Sequence, residues 1–354
     1  MTPEIIQQTL AKLGSMLMVG FLGTTPQDES VQLMGRHIED GKVGAVLLLG
    51  RNTQDGPQKL KELSAFFQKK AKAQSPLLVA IDGEGGCIKR LLSKDGYVEL
   101  PSAKKLAKMP EEEAEALLQK YMQQLAGLGI NWNLAPVVDT EVETEKGCIG
   151  RLERSFSRDP EIAVKYSRKF IEAIQKSGMA FCLKHWPGLG ADTGDTHQGM
   201  TDLTEVWDQK RDMEPFNLLV SEIHKENSRQ IIPVMTAHSV HKKLDEESPS
   251  LTFSVKVIQE QRAKWPSDIL FVSDDLEMGA LDDFELGDKI IRAIMAGNDV
   301  LIISQYRNYH PQKVDKIFQH VEKTLHGEEH QARALSKRID ESYERIQQFK
   351  KFYF

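Results

Sequence analysis

Several apolar runs in this chain end in side chains that can do chemistry. The run Ile269–Asp275 (ILFVSDD) closes on two carboxylates. A carboxylate at the end of a rigid strand, in partly apolar surroundings, suits a nucleophile or a partner for developing positive charge. Successive strand residues face opposite sides, which separates Asp274 from Asp275 and makes Asp274 the candidate; its ordinary alternative is a cap for the next helix. Ala180–Trp186 (AFCLKHW) brings Lys184 and His185 to a strand end before Pro187. Neighbours on a regular strand point apart, so a bend at Pro187 is expected to let both reach one site. Lys184 then offers three donors to hydroxyls or to a carboxylate. The glycine-rich run Gly188–His197 (GLGADTGDTH) follows, with Asp195 and His197 two apart. In extended backbone these share a side, and the carboxylate can fix the imidazole tautomer for proton transfer at the other ring nitrogen. The bland alternative is a surface histidine. Leu77–Asp82 ends in Asp82 and runs on through Gly83-Glu84-Gly85-Gly86, Ile130–Pro136 leads to Asp139, and Ile231–His238 ends in His238. Arg154 and Arg158 stand just ahead of the helix start Asp159-Pro160, where either can reach a ligand or remain a surface charge.

The elements that must position these groups follow from the same pattern. Eight short apolar runs occur: Ser15–Phe21, Gly44–Leu49, Leu77–Asp82, Ile130–Pro136, Ala180–Trp186, Ile231–His238, Ile269–Asp275 and Asp299–Ser304. Near-continuous apolar strands that alternate with helical patterns imply a parallel sheet covered on both faces. Eight of them imply an α/β TIM (β/α)8 barrel, whose chemistry sits at the C-terminal strand ends. The glycines lack the spacing of a dinucleotide-binding turn. Helices are expected over Pro57–Ala73, Asp159–Ser177 (closing at Gly178) and Asp288–Ala296, with a charged helical tail over about Pro311–Lys350 packed on the barrel exterior. One domain over 1–354 is expected, with the barrel at about 15–325 and a C-terminal helix at about 328–352.

Composition narrows the function classes. The chain has 354 residues, 40% hydrophobic and 28% charged, with net charge −6. A mildly acidic chain without a long basic run argues against nucleic acid or an anionic membrane surface as partner. The three cysteines, Cys87, Cys148 and Cys182, lie far apart and suit a reducing compartment better than a disulfide framework or a zinc site. No basic n-region with an apolar h-region opens the chain, and no run is long enough to span a membrane. The expectation is a cytoplasmic protein.

These motifs together carry a resemblance. Ile81–Arg90 (IDGEGGCIKR), Arg154–Phe156 (RSF), Lys184–Gly190 (KHWPGLG), Asp195–His197 (DTH) and Ser273–Met278 (SDDLEM) fall in the order found in glycoside hydrolase family 3. The chain resembles the single-domain NagZ-type β-N-acetylhexosaminidases of that family, from about Ser15 to Ser304. The resemblance implies a TIM barrel and a retaining mechanism through a covalent glycosyl-enzyme. It implies Asp274 as nucleophile and His197 as acid/base, oriented by Asp195. It puts Asp82, Arg90, Arg154, Lys184 and His185 in the N-acetylglucosamine subsite, and it implies neither metal nor organic cofactor. The substrate class it implies is muropeptides of peptidoglycan recycling. This sequence departs from the family pattern at Gly83, Cys87 and Leu189. Phosphorolysis is a minor alternative to hydrolysis, and Glu84 is the next candidate for the acid should His197 only bind. Two other classes compete: a metal-dependent barrel hydrolase built on Lys184, His185, His238 and Asp274, and an inactive sugar-binding protein on the same fold.

Overall fold

The computed structural model describes residues 1–71, 75–88, 90–142, 145–191, 194–266 and 268–354. Ala73, the expected end of the helix from Pro57, lies outside them, as do Lys89 in the Ile81–Arg90 run and Asp192 and Thr193 in the glycine-rich loop.

Each of the eight apolar runs holds a strand. They are β1 (Leu17–Gly20), β2 (Ala45–Leu48), β3 (Leu78–Ile81), β4 (Trp132–Asn133), β5 (Leu183–Trp186), β6 (Ile232–Thr236), β7 (Ile269–Asp275) and β8 (Val300–Ile303). All pair in parallel, in the order β4-β3-β2-β1-β8-β7-β6-β5. The two ends of that order also meet. Bridges join Trp132 to Ala180 and Val137 to Lys184, and the Cys182 N–H donates to the Ala135 carbonyl at 3.0 Å. The sheet therefore curls until β4 and β5 are neighbours, as in a barrel. β4 is short where Pro136, with no N–H, cannot extend the ladder.

A helix follows each strand and covers it. From β1 onward these are Glu29–Glu39, Pro57–Lys70, Glu111–Gly127, Pro160–Lys176, Glu214–Glu226, Val255–Lys264, Leu286–Ala296 and Lys313–Leu325. Pro160–Lys176 shows why the pattern works. Asp159 caps the first turn by accepting from the Glu161 N–H, Ala163, Ser167, Phe170, Ile171 and Ile174 face inward, and Gly178 ends the segment with φ 72°.

The tail is two helices, the second running over Glu329–Tyr353. It buries Leu335, Ile339, Ile346 and Phe349, and the Phe349 ring lies 4.9 Å from that of Trp132. An N-terminal helix, Pro3–Leu13, packs beside it through a Thr9–Ser336 hydroxyl contact of 2.7 Å. At the start of β8 the fully buried Asp299 receives Arg262, Arg345, Ser342 and the Phe271 N–H. That charge cluster ties the last helix to the strand starts, the barrel end associated with stability rather than catalysis. Among the described residues no helix is long and apolar enough to cross a membrane.

Candidate active site

The C-terminal ends of β3, β4 and β5 hold a buried ion network. Lys184 is 2% exposed and donates to Asp82 Oδ1 at 2.9 Å and to Glu84 Oε1 at 2.5 Å. Arg154 grips Glu84 with two parallel bonds, Nε to Oε2 and Nη2 to Oε1, both 2.8 Å. Arg90 Nη2 closes on Asp82 Oδ2 at 2.9 Å. Burial alone would neutralise such carboxyls, but here each has cations at contact distance. For Asp82, burial pushes the pKa up, and Lys184 and Arg90 outweigh it and hold the group at about 2. Glu84 is likewise held far below the carboxylate range by Arg154 and Lys184 against its burial. Lys184 and Arg154 are raised in turn, since their partner acids outweigh the desolvation.

His185 joins this network to β4. Its Nδ1 lies 2.7 Å from Asp139 Oδ2, and its backbone N–H donates to the same oxygen at 3.0 Å. Arg154 Nη2 stands 3.2 Å from His185 Nε2; arginine only donates, so Nε2 is the acceptor and Nδ1 carries the hydrogen. Asp139 is fully buried and also accepts the Leu189 N–H at 2.6 Å. The peptide between Lys184 and His185 is cis, and both side chains enter the site.

β7 separates its two terminal carboxylates as the strand period requires. Asp275 turns toward β8, where its Oδ1 accepts the Ser304 N–H at 3.0 Å and its Oδ2 accepts the Ser304 hydroxyl at 2.5 Å. Burial dominates there, and the carboxyl is raised to about 6. Asp274 behaves oppositely. Burial pushes it up, but His185, His238 and His197 together hold it below its ordinary value. His238 is a pin between β6 and β7: Nε2 donates to the Asp275 carbonyl at 2.9 Å, which leaves Nδ1 to accept the Thr252 hydroxyl at 2.8 Å.

The loop after β5 crosses to β7. His197 Nδ1 lies 2.9 Å from Asp195 Oδ1, and the His197 N–H donates to the same oxygen at 3.1 Å. Burial would raise Asp195, but these two bonds, and Arg151 at 3.2 Å, keep it low. The His197 side chain is 63% exposed, and its Nε2 meets no hydrogen-bond partner among the described residues. Two backbone bonds hold the loop to the segment beyond Asp274: Gly279 N–H to the His197 carbonyl at 3.3 Å and Ala280 N–H to the Thr196 carbonyl at 3.0 Å. Gly279 makes this approach possible, since a Cβ there would stand 2.7 Å from the His197 oxygen.

The eight residues that the resemblance assigns to the site all sit at this end of the barrel, in two linked groups: Asp82, Arg90, Arg154, Lys184 and His185 in the ion network, and Asp274 with Asp195 and His197 beside it. Of the paired arginines only Arg154 turns inward; Arg158 is exposed and reaches the Val142 carbonyl and Glu141. The second arginine that matters is Arg151, which no motif marked, though it lies three residues before Arg154. Glu84 and Asp139 were legible as strand-end acids, but not as the partners that fix Arg154 and His185. Glu84 is no candidate for the acid, because two cations keep it ionised. His185 and His238 have both ring nitrogens engaged and Lys184 is locked between two acids, so these side chains are not free metal ligands. Among the described residues no group of three or more His, Cys, Asp or Glu is placed to hold a metal ion.

The departures from the family pattern also find their reasons. At Gly83 a Cβ would come within 2.8 Å of the Asn133 amide, which binds the Gly83 N–H at 2.9 Å. Leu189 is buried in a small apolar cluster with Val137, Cys148, Ile149, Leu203 and Ala237, beneath the loop that carries His197. Cys87 is an exposed free thiol.

The glycosyl hydrolase family 3 N-terminal domain matches residues 9–349. The chain belongs to glycosyl hydrolase family 3. It is 30% identical over 299 residues to a β-hexosaminidase of Pseudomonas aeruginosa, a match covering 82% of each chain. Among solved structures, a β-N-acetylhexosaminidase from Beutenbergia cavernae superposes with a TM-score of 0.82 at 24% identity, over 97% of this chain and 98% of that one. NagZ from Neisseria gonorrhoeae superposes with a TM-score of 0.68 at 24% identity, over 86% and 84% of the two chains.

Proposed function

We propose that this family 3 glycoside hydrolase is a retaining β-N-acetylglucosaminidase that removes terminal β-linked N-acetylglucosamine through a covalent intermediate on Asp274. The observation that carries the proposal is the docking of the Asp195–His197 pair onto the backbone just beyond Asp274. It brings a proton carrier with a fixed tautomer to a carboxylate that stays ionised. Asp274 attacks the anomeric carbon as the bond to the leaving oxygen breaks, and protonated His197 Nε2 gives that oxygen its proton. In the second half the neutral ring takes a proton from water, whose oxygen attacks the anomeric carbon and frees Asp274. Asp195 holds Nδ1 throughout. The ion network holds the sugar: Lys184 has one N–H beyond those given to Asp82 and Glu84, and Arg90, Arg154, Asp82 and His185 keep the pocket wall rigid and charged. The substrates we propose are muropeptides, cut between N-acetylglucosamine and the anhydro-muramic residue, in a cytoplasmic setting.

Turnover of a chromogenic N-acetyl-β-glucosaminide, retained in chelator, tests the reaction. Product analysis with disaccharide muropeptides, with and without phosphate, tests the substrate and separates hydrolysis from phosphorolysis. A His197→Ala variant should lose far more rate on poor leaving groups than on activated aryl glycosides. An equal loss on both in the glycosylation step would make His197 a binding residue and overturn the assignment.

A further inference from the structure

The walls of the barrel mouth differ in chemistry. The β3–β5 wall is lined by buried charges that suit hydroxyls and an amide. In a closed eight-strand ring, β8 and β1 lie across from β4 and β5. There two apolar side chains stand in water. Tyr306, just past β8, is 69% exposed, and Leu22, just past β1, is 37% exposed. Val19 of β1 pairs with Ile303 of β8. Leu22 and Tyr306 each follow within three residues of that pair, at the ends of these two neighbouring strands.

The backbone under Tyr306 is firmly held. Gln305 has φ 52°, a left-handed conformation that a residue with a side chain adopts only where its surroundings impose it. Its N–H donates to Glu277 Oε2 at 2.6 Å, its Nε2 to the Gly20 carbonyl at 2.8 Å, and its carbonyl accepts from Arg51 Nη1 at 2.8 Å. The Tyr306 N–H then donates to the Ser304 hydroxyl at 3.1 Å, and that hydroxyl donates to Asp275, the neighbour of Asp274. Arg51 also binds the Phe21 and Ser304 carbonyls, so it joins the segment before Tyr306 to the ends of β1 and β8. The ring therefore belongs to the mouth, not to a loose surface loop.

We infer that Tyr306, with Leu22, forms the platform for the group attached to the anomeric oxygen, namely a second sugar ring or the peptide it carries. This rests on the β-N-acetylglucosaminidase assignment. A sugar seated against the β3–β5 wall, with its anomeric carbon at Asp274 on β7, must extend its leaving group toward β8 and β1. An exposed aromatic face fits the C–H face of a ring or an apolar peptide side chain, whereas the charged opposite wall does not. Tyr306 acts on binding of the leaving group, so it governs which substrates are preferred and leaves the reaction centre untouched.

The test compares two substrates on the wild type and on Tyr306→Ala and Tyr306→Phe. One is N-acetyl-β-glucosaminyl fluoride, whose leaving group is a single atom. The other is N,N′-diacetylchitobiose, whose leaving group is a sugar. Tyr306→Ala should lower kcat/KM on chitobiose by about tenfold, mainly through KM, in line with the loss of one aromatic contact and its buried area. It should stay within about twofold of wild type on the fluoride, and Tyr306→Phe should keep both. Equal losses on the two substrates, or no loss on chitobiose, overturn the platform. A wild type that turns over neither substrate overturns the glycosidase assignment instead, and the two failures are thereby distinct.

Discussion

Gly279→Ala should slow cleavage of poor leaving groups by about a hundredfold while leaving the fold intact. A methyl at this position would stand 2.7 Å from the His197 carbonyl oxygen and 2.8 Å from the Gln198 carbonyl carbon. The first contact lies about 0.7 Å inside the 3.4 Å at which ordinary contact begins, and both atoms are backbone, so no rotamer change relieves it. One side must move. Gly279 opens the short 3-10 turn Gly279–Leu281, where the Leu281 N–H donates to the Met278 carbonyl at 3.1 Å and the Met278 N–H to the Asp275 carbonyl at 3.0 Å, so it is fastened to β7. The other side is the β5 loop, which meets this turn through two backbone bonds, one of which is the Gly279 bond itself. The loop gives way, and His197 shifts by most of that distance. A displacement near ~1 Å at a group that must meet a reacting atom can cost ~10²-fold. The cost falls on proton donation, because Asp274 stands on the strand and does not move.

The assay is therefore a comparison of leaving groups, with a melting curve beside it. With a 2,4-dinitrophenyl aglycone, which departs with little protonation, Gly279→Ala should remain near wild type in glycosylation. With a methyl or sugar aglycone it should fall by about two orders of magnitude and approach His197→Ala. The melting temperature should barely change, since the backbone at Gly279 is outside the left-handed region and alanine also restricts the unfolded chain. Unchanged rates on poor leaving groups would refute the idea that this contact sets the position of the acid. An equal loss on both aglycones would show that the substitution disturbs Asp274 instead.

Asp274→Asn should abolish turnover with the fold unchanged, and a mechanism-based fluorosugar should label Asp274; label on Asp275 would reverse the roles that the Ser304 bonds assign. Lys184→Ala leaves Asp82 and Glu84 facing each other without their shared cation, so kcat/KM should fall by at least the ~1.5–3 kcal/mol of one charge-assisted hydrogen bond, with a lower melting temperature; a lower melting temperature with unchanged kinetics would confine Lys184 to a structural pair. Asp275 titrates near about 6 in the folded state against 3.8 for the free group, so its contribution to stability is complete below pH ~3.8 and is lost as pH rises to about 6, with a loss on the order of 3 kcal/mol. Asp275→Asn should gain on wild type across that window in denaturant titrations, and a constant difference between pH 4 and 7 would refute the burial account.

The barrel was readable because its strands are buried on both faces, so each appears as an unbroken apolar run ended by a polar residue. The same property marked Asp82, Asp274 and His238 as strand-end groups and set Asp274 apart from Asp275 by period alone. Partnership was not readable. Arg154 lies 70 residues from Glu84, and only the pairing of β3 with β4 brings the segments after them together; Asp139 lies 46 from His185, and only closure of the ring between β4 and β5 brings that pair into contact. Arg151 and Arg158 look alike in the sequence, each near Arg154, and which one meets Asp195 depends on the path of the β5 loop. Gly279 gave no signal either, because its role is the space it leaves for a segment some 80 residues earlier.

A histidine as the proposed proton carrier fits what surrounds Asp274, the proposed nucleophile. A nucleophile that must stay ionised while half-buried needs its neighbours to offset the desolvation. A second carboxylate brought across on the β5 loop would repel it and push its pKa up, adding to the burial. His197 acts in the opposite direction, as does the Asp275 N–H, which donates to Asp274 Oδ1 at 2.8 Å. The negative charge needed to orient the proton carrier is placed one step farther out, on Asp195, where Arg151 balances it. The two proposed catalytic groups then differ in exposure. Asp274 is fixed on β7, while the His197 side chain, 63% exposed, stands at the solvent-facing side of a loop that the Gly279 and Ala280 N–H groups and the Arg151–Asp195 ion pair hold in place, where the leaving group and the incoming water can both reach it.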